Sequence, residues 1–401
     1  MKERKFNIPI AKTFLKENEI EAILGPLRSG WLVQGPRVEE FESKWCQFSG
    51  AKNSIAVTSC TSGLLLSLVA IGFKPGDEAI VPAFTWISTA NVVEQLGGKP
   101  VFCDIDLENF NIKVDAIESL ITKKTRVILP VHLFGLSADM NPILDLATKY
   151  NLRVIEDAAC GFGSRYDGSH VGSFGDTGVF SFHPRKAITT GEGGMITTES
   201  SKIASKLRCL RDHGAIISDR QRHEGSRPYL LAEHEEAGYN QRMTDIQAAI
   251  GSAQMDRASE ILEERKCLAK RYDDAFNDLS WLNIPKVSKK FSHGYQSYPC
   301  ILFKEEVLKD PKKINLKKLN KLRNSWMDKL FSIGISTRPS THAVHMLTYY
   351  KKKYSIEPED FPNAFAANDC SISFPLFNGM SLEEQDFVID NVLAEKFDIA
   401  M

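Results

Sequence analysis

The chain has 401 residues, 43% of them apolar and 25% charged, with 50 Lys and Arg against 51 Asp and Glu. Ordinary globular composition excludes disordered, collagen-like and coiled-coil chains, and the balanced charge leaves no global basic excess for nucleic acid or anionic lipid. The longest apolar run, residues 64–73, is far short of the roughly 20 residues a bilayer requires, and the charged start MKERKFNIPI holds no apolar signal core. Eight scattered cysteines with no C-x-x-C pair read as thiols of a reducing compartment, so a cytoplasmic protein without a disulfide or metal framework is expected.

From about residue 54, short β-branched runs alternate with amphipathic stretches. Residues 54–59 predict a strand and 61–71 a helix; strands at 78–81 and 101–106 flank a helix over 87–97. Further strands are expected at 126–131, 153–158, 178–182 and 195–198, with a helix over 140–150 between the first two. Strands alternating with helices argue for an α/β fold whose mostly parallel sheet is covered by helices. After about residue 250 the texture changes. A charged helix is expected over 255–279. The Lys-rich stretch 309–329 carries Leu316, Leu319, Leu322, Trp326 and Leu330 at helical spacing, which predicts one buried face and solvated lysines rather than a nucleic-acid helix. Strand-like runs at 298–303 and 370–374 precede a last helix to residue 395 that starts at the Ser381/Glu384 capping-box spacing. The division expected is a large domain over 1–255 and a smaller α/β domain over 256–401.

Three strand ends carry unusual residues, and open α/β sheets bind ligands at the carboxyl ends of their strands. In Val57-Thr58-Ser59-Cys60-Thr61-Ser62-Gly63 a strand turns directly into a helix, whose first amides and hydroxyls make an anion site as readily as an ordinary N-cap. In Val154-Ile155-Glu156-Asp157 an apolar strand ends in two carboxylates, which must be paired if buried, either with a ligand or with a neighbouring loop. Then Phe180-Ser181-Phe182-His183-Pro184-Arg185-Lys186 runs into a Gly-rich turn, where Pro184 stops the strand and Lys186 is presented at the rim as a candidate nucleophile. An anion cup, a strand-end Asp and a loop Lys together match the needs of pyridoxal 5'-phosphate.

These motifs resemble the DegT/DnrJ/EryC1/StrS sugar aminotransferases, pyridoxal-phosphate enzymes of fold type I. The resemblance runs through Ser29-Gly30, Gly35-Pro36, Pro75-Gly76-Asp77-Glu78 and Val131-His132-Leu133-Phe134-Gly135. It continues through the lysine segment S-F-H-P-x-K-x-I-T-T-G-E-G-G and Gly238-Tyr239-Asn240-Gln241-Arg242-Met243 to Gln247-Ala248-Ala249, with weaker echoes at Gly334-Ile335 and Ser373-Phe374-Pro375-Leu376. It implies Lys186 as the lysine that binds the cofactor covalently, Asp157 as the partner of the pyridine nitrogen, and Thr61, Ser62 and Ser181 as phosphate ligands. Trp86 falls where the family stacks an aromatic on the ring, and Asn240 where it reaches across a homodimer to the phosphate. Cys160 departs from the Gln or His that the family commonly has near the phenolic oxygen, and Cys60 stands where Gly often precedes the Thr.

The resemblance further implies transamination by a ping-pong route, with L-glutamate as donor, a pyridoxamine form in turnover and a keto-sugar as acceptor. During it the free Lys186 amine, with its pKa depressed by apolar and cationic surroundings, moves the substrate proton. Arg338, with His342 and His345 after it, and His183 beside the lysine are the candidate substrate contacts. A nucleotide-linked keto-deoxyhexose is the expected acceptor, with a keto-sugar acid or keto-cyclitol, or a non-catalytic pyridoxal-phosphate-binding regulator, as alternatives.

Overall fold

The computed structural model describes residues 6–217, 229 and 231–397. Seven strands form the central sheet: β1 (Asn53–Val57), β2 (Glu78–Pro82), β3 (Lys99–Cys103), β4 (Thr125–Ile128), β5 (Arg153–Asp157), β6 (Thr177–Ser181) and β7 (Gly194–Thr198). Their order across the sheet is β1-β7-β6-β5-β4-β2-β3. Only β7 runs antiparallel to its neighbours; the other pairs are parallel. The α/β expectation holds, with each strand displaced by at most a few residues from its predicted span.

Burial on both faces explains the near-continuous apolar strands. Along β2, Ala79 and Val81 face a core shared with Leu64, Leu68, Val127 and Ile155, while Ile80 faces the opposite side with Ile128, Val154, Met140 and Ile143. Alternation of this kind follows from the two-residue period of a strand. Helix Cys60–Ala70 lies so close to the sheet that a Cβ on Gly63 would stand 2.5 Å from Val179 Cγ1.

The region beyond residue 250 differs from expectation at two points. The helix predicted over 255–279 is the second of two helices, Asp245–Met255 and Ala258–Phe276. Thr244 and Gln247 form a capping box that starts the first, so Met255 ends a helix rather than begins one. The Lys-rich stretch is interrupted by Pro311, and its helix spans Leu316–Ser332 with Leu316, Leu319, Trp326 and Leu330 buried, as the spacing predicts, and Leu322 half-buried at the edge of that face. A second sheet places Tyr298–Leu302 between Leu282–Asn283 and Ser371–Phe374, all antiparallel. The predicted capping box at Ser381 and Glu384 opens helix Leu382–Leu393.

The N-terminal segment reaches this second region. Ile8 donates to Gly334 O (2.8 Å) and accepts from the Ser336 amide (2.9 Å). All eight cysteines are free thiols, and no helix among the described residues is long and apolar enough to cross a membrane.

Candidate active site

Four chain segments converge at the carboxyl ends of β1, β5 and β6. At the first, Ser59 caps helix Cys60–Ala70 by accepting from the Ser62 amide (3.1 Å). Its carbonyl takes the Gly63 amide (3.0 Å), which leaves the first-turn amides of Cys60 and Thr61 unspent at the positive end of the helix. Ser62 Oγ lies 2.9 Å from both Thr58 Oγ1 and Ser59 Oγ, and Thr61 Oγ1 donates to Ser88 Oγ (3.0 Å). Gly194 makes this turn possible: a Cβ there would fall 2.6 Å from the Ser59 carbonyl carbon.

At the second, β5 separates its two carboxylates onto opposite faces. Asp157 is buried and takes a hydrogen bond from Thr89 Oγ1 at Oδ2 (2.7 Å) and from the Ala159 amide at Oδ1 (3.1 Å), with Cys60 Sγ 3.8 Å from Oδ1. A carboxylate accepts about four hydrogen bonds, so capacity remains for one more donor. Glu156 has none left: His132 Nε2 (2.8 Å) and the Gly172 amide (2.7 Å) fill Oε2, and the Phe174 and Gly175 amides (each 2.8 Å) fill Oε1. Burial works against its charge, yet the hydrogen bond from His132 leads the effects that hold its pKa below the ordinary carboxylate range. Of the paired carboxylates in the sequence, Glu156 is the one that ties down a loop.

At the third, Pro184 ends the strand direction and the Lys186 amide turns back to His183 O (2.8 Å). Lys186 Nζ donates to Cys160 Sγ at 3.1 Å. The two side chains line a crevice with Ser181, Ala159, Phe180 and Gln296. Here the expectation of a depressed amine pKa is corrected. Burial does work against the ammonium, but Cys160, Cys60 and Asp157 around it outweigh burial and raise its pKa above the usual lysine value. The surroundings are thiol and carboxylate, not cationic. His183 is half-buried, and burial, then Arg185 and Lys186, hold its pKa below the ordinary histidine value. Its backbone amide reaches Ser181 Oγ at 3.4 Å.

The fourth segment carries Trp86, which is 56% exposed, on the turn before Thr89. The two-residue strand Phe84–Thr85 pairs with His342–Ala343, bringing His342 beside Trp86 with ring centroids 5.8 Å apart. Arg338 is exposed, and its backbone bridges Ser373 of the second sheet. His345 does not join this cluster: it is fully buried, bonds Pro358 O at 3.2 Å and packs on Phe361. Three residues of extended and turning backbone carry it to the other side of its segment. Asn240 is exposed next to Gln241, whose Oε1 accepts from Thr58 (2.6 Å) in the anion cup.

Thr89 and Gln296 escaped the sequence reading. Gln296 Nε2 donates to Arg185 O (3.0 Å), and its own carbonyl is held by Arg265 Nη2 (2.8 Å). Arg265 is buried and also binds Tyr295 O, Leu376 O and Asn378 Oδ1, so one cation ties two segments of the second region against the lysine loop. Only tertiary contact gives either residue its place; Thr89 alone carried a local signal, as a hydroxyl in the first turn of a helix beginning at a strand end.

A buried amine, a buried carboxylate with one acceptor direction open and a helix N-terminus ringed by hydroxyls fit a phosphorylated, basic aldehyde such as pyridoxal 5'-phosphate. Among the described residues no group of three or more His, Cys, Asp or Glu is placed to hold a metal ion.

Comparison with known proteins agrees. The chain is 36% identical over 395 residues to the spore coat polysaccharide biosynthesis protein SpsC of Bacillus subtilis, covering 98% of each. It is 34% identical over 391 residues to a UDP-4-amino-4-deoxy-L-arabinose–oxoglutarate aminotransferase of Shewanella sediminis, covering 95% of this chain and 96% of that one. Among solved structures, the PMP form of the putative sugar aminotransferase Spr1654 of Streptococcus pneumoniae superposes with a TM-score of 0.86 at 28% identity, over 96% of this chain and 98% of that one. Spr1654 has also been solved in a PLP form. The family model of the DegT/DnrJ/EryC1/StrS aminotransferases matches residues 13–393. The chain therefore belongs to the DegT/DnrJ/EryC1/StrS aminotransferase family and is a sugar aminotransferase of fold type I with pyridoxal 5'-phosphate as its cofactor.

Proposed function

We propose that the enzyme transfers the amino group of L-glutamate to a nucleotide-linked keto-deoxyhexose, in the cytoplasm, for polysaccharide or amino-sugar synthesis. The observation that supports this reading is the contact of His342 with the exposed Trp86, with the exposed Arg338 four residues before that histidine on the same segment. An unburied guanidinium suits a diphosphate, and an aromatic face beside an imidazole suits a sugar ring. Residues 1–255 would carry the cofactor, and 256–401 would cover the sugar.

When bound, the cofactor supplies an electron sink beside the amino group being moved. The residues divide the remaining work. Thr61, Ser62 and Ser181, with the amides of Cys60 and Thr61, hold the phosphate. Asp157 would accept a hydrogen bond from the ring nitrogen and keep the proton there, while Thr89 fixes the carboxylate's orientation. Lys186 Nζ would anchor the cofactor between turnovers and, once free, would carry the proton from the α-carbon of the amino donor to the cofactor carbon that keeps the transferred nitrogen. His183 and Cys160 flank that amine. Trp86 would cover the ring and help exclude water. Asn240, exposed beside the anion cup, reaches the phosphate of a second copy in a homodimer.

Incubation with 15N-glutamate and a nucleotide-linked 4-keto-6-deoxyhexose tests the reading by mass spectrometry. It predicts a 15N-labelled amino sugar still carrying its nucleotide. Label appearing only in a keto-sugar acid or keto-cyclitol offered alongside it would contradict the nucleotide-linked acceptor.

A further inference from the structure

Eight thiols are present, and among the described residues only one sulfur accepts a hydrogen bond from a cationic side chain. Cys46 lies beside Ser54 Oγ, Cys60 beside Asp157 and Val179 O, Cys103 beside Lys113 O, and Cys267 beside Glu263. Cys160 instead accepts the Lys186 ammonium at 3.1 Å, inside the crevice that both side chains line. The backbone forces the meeting: Asp157 ends β5, the Gly161 amide returns to Ala158 O (2.7 Å) in a tight turn, and Cys160 on that turn faces the lysine loop.

We propose that Cys160 is a positioning residue for the transamination: its sulfur receives the free Lys186 amine, orients it within the crevice and retains its proton between proton transfers. The inference rests on reading Lys186 as the reactive amine. Four groups face that amine: Cys160 from the turn after β5, Asp157 from the end of β5, Cys60 from the start of helix Cys60–Ala70, and His183 from the lysine loop itself. Cys160 is the one in hydrogen-bond contact with Nζ. Cys60 is the weaker of the two sulfur neighbours, and burial and then Asp157 push its own pKa up. His183, held below the ordinary histidine value by burial, adds no opposing charge near neutral pH. Cys160 is therefore the largest single support of the raised Lys186 pKa.

The role predicts that removing the sulfur makes the amine give up its proton at lower pH. The full-length enzyme loaded with pyridoxamine 5'-phosphate leaves Lys186 free, and isotopically labelled acetic anhydride then reads the fraction of neutral amine, with the Lys186 peptide quantified by mass spectrometry across pH. Cys160→Ala should lower the labelling midpoint by about one pH unit, and so raise labelling about tenfold at pH values below both midpoints. Cys160→Ser, closest in volume, guards against a collapsed site: its hydroxyl keeps an acceptor for the same N–H, so its midpoint should move less than that of Cys160→Ala. An unchanged midpoint in both variants overturns the proposal. Borohydride reduction of the enzyme loaded with pyridoxal 5'-phosphate separates the two failures, because a cofactor tag on any other lysine refutes the reading of Lys186 itself.

Discussion

The two sides of β5 hold polar clusters of similar size and opposite character. Behind the strand, Glu156, His132 and the amides of Gly172, Phe174 and Gly175 satisfy one another completely. In front of it, Asp157 keeps an acceptor direction open, the Cys60 and Thr61 amides are unspent, and Lys186 has only a thiol for partner. Buried polar groups are normally paired, so a closed cluster is architecture and an open one awaits a ligand. Adjacent acids in one strand thus carry different duties, and the count of filled lone pairs tells them apart.

The comparison breaks most visibly if the front residues are exchanged. Lys186→Ala should abolish turnover while thermal unfolding stays near wild type; a variant turning over at wild-type rate would falsify the assignment. Asp157→Asn keeps the shape and removes the charge, and steady-state kinetics should show a loss of at least about a hundredfold. Behind the strand the expectation is reversed. Glu156→Ala leaves His132 Nε2 and three amides without their acceptor, so denaturant unfolding should show a loss of about 3–5 kcal/mol, with turnover per folded molecule largely kept.

Acid should act on the rear cluster's surroundings next. Burial lowers His170 to about 4, and it lowers His293, beside Tyr295 in the second region, to about 3, both from an ordinary 6.5. Between those values and 6.5 the unfolded chain binds protons that the folded chain refuses. Their contribution to stability is therefore whole above about 6.5 and is lost as pH falls toward 4, which melting temperatures at pH 7 and pH 5 will register. The smallest effect belongs to Thr89→Val, which removes one hydrogen bond from Asp157 Oδ2 and should cost about tenfold in turnover without measurable loss of fold.

Most of the central sheet was legible because strands covered on both faces are apolar throughout and end in turn residues. The lysine loop was legible for the same reason, since Pro184 and the run of glycines have no place in a strand or helix. What escaped lay in tertiary contact. The helix break at Asp256 and Arg257 was hidden by a charged, helix-favouring composition, although Thr244 and Gln247 announced the earlier start. His345, three residues after His342, reads as the same cluster but turns into the core. The surroundings of Lys186 looked cationic along the chain because Arg185 is its neighbour; in space, thiols and a carboxylate from other segments decide the sign. Gln296 lies 111 residues from Arg185, and Arg265 lies 111 from Leu376, so no local pattern joins them.

The central claim is that the open cluster in front of β5 binds the cofactor through Lys186. The visible absorption spectrum of the purified enzyme, loaded with pyridoxal 5'-phosphate and then given L-glutamate, tests it most directly, with Lys186→Ala and Glu156→Gln measured alongside. The account predicts a yellow protein that bleaches on adding the donor, a Glu156→Gln variant that, where folded, does the same, and a Lys186→Ala variant without the lysine-bound absorption. A Lys186→Ala protein that keeps the wild-type band and bleaches like the parent would contradict it.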